Sequence, residues 1–220
     1  MIKNLFAVAA IGLFALASSQ AMAVERTTIG NVRTVVKTVT GTIESDRRQI
    51  HLLDDIYHNE IIETGDESAT EFVFLDETKM ALGPNSRLVL DRFVYDPEPG
   101  KASFIMTATA GVFRFVSGKL PKTSYEIHTP TATIGIRGTV FSVIVIPGDT
   151  EGNPARVNIT VEDGVADIIS CLGEQVSLTR PGASTTVSMN ADGTCAAPTP
   201  PGPQPVEFAR LLATLYLESQ

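Results

Sequence analysis

From about Val32 to Met189 the sequence is punctuated: runs rich in Val, Ile, Thr and Phe are broken by Gly, Pro, Asn or Asp about every eight to twelve residues. β-Branched and aromatic side chains suit a pleated, half-buried surface, and the interrupting residues suit turns. This rhythm leaves no mid-chain window with a sustained helical period, so it restricts the chain to an all-β domain. Expected strands include "VRTVVKTVTGTI", "ATEFVFL", "GVFRFV", "GTVFSVIVI" and "ARVNITVE". In Arg87-Leu88-Val89-Leu90-Asp91-Arg92-Phe93 the alternation puts one apolar face inward.

The rhythm also echoes itself. "ETGDESATEFVFLDETKMAL" and "LTRPGASTTVSMNADGTC" share a Thr, a Gly, a short Ser/Ala/Thr strand and an acidic turn, while "AGVFRF" and "DGVADI" are both Gly-Val entries into a strand. Such hairpin-like rungs suggest an antiparallel sandwich or a short solenoid, unless strands of similar composition simply resemble one another.

Both ends differ in character from this middle. Lys3 precedes an apolar run from Leu5 to Leu16, and Ala21-Met22-Ala23 has small residues at the positions a signal peptidase reads. The run is shorter than the roughly 18 to 20 residues needed to span a bilayer. Residues 1–23 therefore read as a signal peptide cleaved after Ala23, implying a periplasmic or secreted product with no membrane span, and an uncleaved anchor is the alternative. Residues 24–190 then form the β-domain. The Pro-rich "ADGTCAAPTPPGPQP" makes 191–205 an extended linker that cannot continue a sheet. In 206–220, Phe208, Leu211, Leu212, Leu215 and Tyr216 share one helical face. An isolated helix this short is marginal in water, so that face packs on its own domain or on a partner.

The formal net charge is −8 at pH 7, with acidic residues spread along the chain. Such a surface repels nucleic acid and anionic lipid, which are bound through Lys and Arg contacts to phosphate. Cys171 and Cys195 are the only cysteines. In an oxidising compartment an even pair is most simply a disulfide, with two free thiols or a two-sulfur metal site as alternatives.

Few motifs carry chemistry. "HLLDDIYHNE" crowds His51, Asp54, Asp55, His58 and Glu60 together, residue types that suit a divalent metal, yet the spacing fits no specific site and reads more simply as the turn before a strand. No HExxH, GxSxG or nucleophile beside a base is present, so no catalytic, metal or cofactor residue is assigned. Asn158 heads an "NIT" glycosylation pattern, but within an expected strand. In "HTPTATIGIRGTVFSV" the pair Gly135 and Gly138 lacks the further glycine, the Lys-Ser/Thr ending and the following helix of a phosphate cradle. It reads as a strand corner, with Arg137 pointing outward to a carboxylate such as Glu162 or Asp163, or to a ligand.

Three segments together resemble the FecR periplasmic domain family: "NEIIETGDESATEFVFLDETKMALGPNSRLVL", "HTPTATIGIRGTVFSV" and "VNITVEDGVADI". The resemblance covers roughly residues 60–169 and rests on Gly65, Asp66, Pro84, Ser86, Leu88, Thr129, Pro130, Ala132, Gly135, Arg137, Gly138, Thr139, Phe141, Gly164 and Val165. Asp76-Glu77-Thr78 departs from the Asp-Gly of the family's hairpin. The resemblance implies a β-rich periplasmic module, and the best known members are anti-sigma regulators that relay a receptor's signal across the inner membrane. Those carry a sigma-binding region and a transmembrane helix ahead of the β-domain, which this sequence does not show, so a direct anti-sigma role is not expected.

The reading is an exported, non-catalytic β-scaffold that binds an envelope protein, a receptor or a FecR-type sensor. Candidate contacts are an exposed sheet edge, Arg137, and the helix face of Phe208, Leu211, Leu212 and Leu215. The alternatives are a small-molecule or glycan-binding module, with a groove at Arg137, Tyr95 and the acidic turns, or a structural surface module without a discrete ligand.

Overall fold

The computed structural model describes residues 26–94, 102–138, 140–149 and 152–217. The segment around Ala23, Tyr95, Thr139 and the side chain of Tyr216 lie outside the described residues. The first strands are β1 (Thr28–Val36), β2 (Val39–Ile43), β3 (Asp46–Gln49), β4 (Asp55–Tyr57), β5 (Ile61–Thr64), β6 (Ala69–Phe74), β7 (Lys79–Leu82) and β8 (Arg87–Val94). The long β9 (Ser103–Val116) is followed by β10 (Tyr125–His128), β11 (Ala132–Ile136), β12 (Val140–Ile146) and β13 (Arg156–Asp163). Then come β14 (Ala166–Ser170), β15 (Gln175–Leu178), β16 (Ala183–Ser188), the short β17 (Gly202–Pro203) and the helix α1 (Val206–Leu217).

The pairings define two facing sheets. Sheet A runs β4-β1-β6-β7-β9-β12-β13-β16-β17, and sheet B runs β3-β2-β5-β8-β9-β10-β11-β14-β15. Every pairing is antiparallel except β9 with β10. Strand β9 belongs to both sheets: Ser103–Ala110 pairs with β8 in sheet B, and Gly111–Val116 pairs with β12 in sheet A.

Gly111 makes that transfer. It has φ +107°, and a Cβ there would lie 2.1 Å from Ser86 Oγ. Ser86 occupies the space instead, accepting from the Val112 N–H at 3.0 Å and donating to the Gly83 carbonyl at 2.9 Å. Gly164, with φ +82°, turns the chain from β13 in sheet A to β14 in sheet B. The Gly-Val echo of the sequence thus marks two places where the chain changes sheet. The longer echo does the same, since β5 to β6 and β15 to β16 are both passages from sheet B to sheet A.

Alternation supplies the core between the sheets. Phe74, Phe104, Phe115 and Phe141 are all buried there. Their rings meet in sequence, edge to face or tilted, with centroids 4.6 Å apart for Phe74 and Phe104, 6.0 Å for Phe104 and Phe115, and 5.1 Å for Phe115 and Phe141. Aromatic contacts of this kind contribute roughly 0.5–1.5 kcal/mol each beyond area burial.

The outer face of sheet A is covered by the chain's own C-terminal part. Phe208 and Leu215 of α1 are buried against Val112 and Ile144, and Leu212 packs beside them. Arg156 lies over the Phe208 ring at 5.8 Å and pairs with Glu207 at 3.6 Å. The Pro-rich segment was expected to leave the sheet, but Gly202 and Pro203 pair with β16, and the Thr199 hydroxyl accepts from the Thr186 N–H at 2.9 Å. Proline is tolerated because this is an edge strand. Asn158 is only 1% exposed, with its amide held by Ser184, the Thr185 carbonyl and Thr186, so the "NIT" pattern offers no accessible side chain. Cys171 and Cys195 form a disulfide, which ties the β14–β15 hairpin to the start of the Pro-rich segment. No helix among the described residues is long and apolar enough to cross a membrane.

Candidate functional site

The "HLLDDIYHNE" residues do not assemble a metal site. Glu60 is fully buried and accepts from Arg48 Nε at 2.9 Å and from the Tyr57 N–H at 3.0 Å. Arg48 also donates to Asp54 at 3.3 Å and to the Asp55 carbonyl at 2.5 Å. Burial works against the Arg48 charge, but the bonds to Glu60 and the field of Asp54 outweigh it and hold the guanidinium pKa above its ordinary value. Gly41 makes room for this pair, since a Cβ there would lie 2.0 Å from Glu60 Oε1. His51 stays exposed, and no group of three or more metal-ligating side chains converges among the described residues.

A second buried polar cluster was not read from the sequence. Asp76 and Thr78, in the β6–β7 turn, are 0% exposed. The Asp76 carboxylate accepts from Tyr125 Oη and Thr78 Oγ1, both at 2.7 Å, and from the Thr78 N–H at 3.1 Å. Tyr125 Oη in turn accepts from the N–H groups of Gly118 and Leu120, each at 3.1 Å. Burial, reinforced by the bond to Asp76, pushes the Tyr125 phenol well above its ordinary value. Glu77, where the family pattern has Gly, adopts φ +68° with its side chain exposed and paired to Lys119. The departure from Asp-Gly therefore leaves the hairpin intact.

The other motif residues are mostly corners too. Asp66 accepts from Asn85 Nδ2 at 2.8 Å, and the Gly65 N–H donates to the Thr38 carbonyl at 3.0 Å, tying the β5–β6 turn to the β7–β8 and β1–β2 turns. Thr129 Oγ1 accepts from the Ala132 N–H at 3.0 Å in the turn that includes Pro130, and Phe141 is a core ring. Gly138 has φ +63° and ends the passage from β11 toward β12. Arg137 is exposed, and its Nε donates to Asp167 at 2.7 Å. The expected partners Glu162 and Asp163 are not used: Glu162 lies on the outer face of sheet A, held by Arg114 at 2.9 Å and Ser142 at 2.7 Å. The reason is register, because β11 pairs with β14 and places Asp167 beside Gly135.

Gly135 differs from Gly138 and Gly164 in backbone conformation, and from Gly65 in having more open space around it. Its φ is not in the left-handed region, and a Cβ there would meet nothing nearer than the Asp167 carbonyl at 3.8 Å. Neither backbone nor space inside the chain calls for glycine, which weakens a strand and commonly marks close approach of something else. Gly135 sits on the outer face of sheet B in a cross-strand row of Ile105, Glu126, Gly135, Asp167 and Ser177. A neighbouring row carries Val89, Thr107, His128, Thr133 and Ile169. All of these side chains are half-buried or exposed. Glu126 is paired with His128, and Asp167 is shared by Arg137 and by Ser177 Oγ at 2.5 Å.

The helix residues Phe208, Leu212 and Leu215 instead face sheet A, while Leu211 is 37% exposed. The hollows beside α1 are lined by residues such as Ala81, Leu82, Ile146 and Leu211, and Arg137 belongs to neither.

Residues 60–167 match the family model described as FecR protein. No curated protein matches the chain. Two crystal structures of a candidate anti-sigma factor from Parabacteroides distasonis ATCC 8503, at 1.65 and 2.50 Å resolution, are similar to it, with TM-score 0.48 and 15% identity. Each likeness covers 67% of this chain and 62% of the other. FecR domains are periplasmic signalling modules, and a disulfide-bonded β-domain fits that setting. The scaffold built on these corners is thus a FecR domain, carried by residues 60–167 of the chain.

Proposed function

We propose that this protein is an exported, non-catalytic β-scaffold of the bacterial envelope that binds a protein partner, a receptor or a FecR-type sensor, in FecR-like signalling. The partner docks on the outer face of sheet B around Gly135, Glu126 and Arg137. The observation that carries this reading is Gly135: the most family-specific segment puts on an open face a glycine that nothing among the described residues requires. The helix face is a poorer candidate, because Phe208 and Leu215 are already engaged with sheet A. In this reading the protein acts on the sensing side and is not itself an anti-sigma factor. The buried carboxylates Glu60 and Asp76, and the half-buried Arg48 that pairs with Glu60, are all consumed in structural bonds.

The test is a photo-crosslinking capture from the native envelope with the probe at Thr133, comparing the parent with Gly135→Gln. Loss of one receptor or sensor in the variant, whose melting temperature is unchanged, is the expected result. The same captured set from both proteins would overturn the assignment of the face.

A further inference from the structure

Among the described residues four strands end the two sheets, and three of them resist pairing with another chain. In sheet A, β4 has three residues and β17 has two, one of them Pro203. In sheet B, β3 reads Asp46-Arg47-Arg48-Gln49, and charge on an edge is a common guard against association. The remaining edge, β15, reads Gln175-Val176-Ser177-Leu178, with neither charge nor proline. It pairs with β14 alone among the described residues.

The hairpin geometry says which backbone groups of β15 are open. The Ser170 N–H donates to the Glu174 carbonyl at 2.8 Å, so 170 and 174 are a hydrogen-bonded pair. Alternation then makes 168 with 176 and 166 with 178 hydrogen-bonded, and turns the N–H and C=O groups of Gln175 and Ser177 away from β14. Glu174 and Arg180 flank the strand, both exposed, and neither side chain has an ion-pair partner among the described residues.

We infer that β15 pairs antiparallel with β15 of a second copy, about a two-fold axis through Ser177. Only registers that join outward-facing residues to outward-facing residues can bond, and the one centred on Ser177 sets Gln175 opposite Thr179 of the second copy. The same register sets Val176 opposite Leu178 and unpaired Glu174 opposite unpaired Arg180, each twice. A two-fold contact must be self-complementary, and an acid at one end of an uncharged strand with a base at the other meets that requirement. Pairing also buries Val176, which is only partly covered in one copy. The inference stands apart from the docking face around Gly135, since it needs no other protein.

The experiment is sedimentation equilibrium of the full chain from about 1 µM to 1 mM, with the disulfide intact. A monomer–dimer equilibrium is expected in that range, because the strand is short and the contact small. Glu174→Arg and Arg180→Glu, each turning two attractions into two repulsions, are expected to weaken dimerisation roughly tenfold, and the double variant to restore it. Gln175→Pro, which removes an outward N–H and no internal bond, is expected to leave a folded monomer. A parent protein that stays monomeric at about 1 mM overturns the proposal and leaves the edge to a strand of a different protein. Dimerisation that Gln175→Pro and both charge variants leave unaltered overturns it equally.

Discussion

Replacing Asp76 with Ala tests whether the buried cluster in the β6–β7 turn, and not the turn sequence alone, holds the hairpin to the rest of the domain. The carboxylate accepts bonds from Tyr125 Oη, Thr78 Oγ1 and the Thr78 N–H, all in a site closed to water. A hydrogen bond to a charged group contributes about 1.5–3 kcal/mol, and a buried donor left unpaired costs about 1–3 kcal/mol. Thr78 Oγ1 retains Tyr125 Oη at 3.3 Å as a second partner, which limits the loss. Asp76→Ala is therefore expected to cost roughly 3–5 kcal/mol, a fall in Tm of about 6–20 °C for a domain of this size. Tyr125→Phe, which strands the Leu120 N–H and leaves the Gly118 N–H to Thr78 Oγ1 at 3.0 Å, is expected to cost about 1–3 kcal/mol. The two residues share a bond, so the double variant should lose about 1–3 kcal/mol less than the sum. Urea unfolding followed by far-UV circular dichroism, with the disulfide intact, measures all three. The Tyr125 pKa, raised above its unfolded value of about 10, adds a pH signature. The native state then holds a proton that the unfolded chain releases, so this stability is full below about pH 10 and falls above it by about 1.4 kcal/mol per pH unit. Tyr125→Phe should remove that part of the alkaline slope. Strict additivity, with an unchanged alkaline slope, would refute the reasoning.

Two glycines that both lie within strands should behave in opposite ways. Gly111→Ala, at φ +107° with Ser86 Oγ 2.1 Å from the new Cβ, is expected to prevent folding or cost about 3 kcal/mol or more, whereas Gly135→Ala should change Tm by less than about 2 °C. Glu77→Gly, relieving φ +68° at an exposed position, is expected to stabilise by about 0.5–1 kcal/mol in the same urea titration. Phe208→Ala empties the main contact of α1, so hydrogen exchange across Val206–Leu217 should become fast while amides in β9 and β12 stay protected. Protection of the helix unchanged in that variant would show that the Pro-rich segment, and not the ring, holds it.

Local pattern made much of this fold legible. Strict alternation gave the strands and their buried sides, and the apolar spacing of Phe208, Leu211, Leu212, Leu215 and Tyr216 gave the helix, of which Phe208, Leu212 and Leu215 pack on sheet A while Leu211 is exposed. The cysteine pair gave the disulfide. Pairing between distant strands was not legible, and the errors follow from that. Arg137 could be seen to want a carboxylate, but choosing Asp167 over Glu162 requires knowing that β11 lies beside β14 and that Glu162 belongs to the other sheet. Asp76 looked like an ordinary turn residue because the Tyr125 that covers it is 49 positions away. Gly135 and Gly138 looked equivalent in sequence, and only φ and the space around each backbone separate a corner from an open notch. The free edge at β15 was hidden for the same reason, since an edge is defined by what does not pair with it.

The membership of β9 in both sheets has a consequence for how the protein is made. In sheet B the N-terminal half ends at β8, in sheet A it ends at β7, and both of those strands wait for β9. A chain synthesised or threaded through a membrane with its N-terminus first thus presents two half-sheets with raw edges until residue 116 has emerged. Unpaired strands of that kind are prone to aggregate. Delivery as an extended chain, shielded until β9 is through, then lets both halves close on one strand in a single event, and truncations ending before Val116 should accumulate as insoluble material.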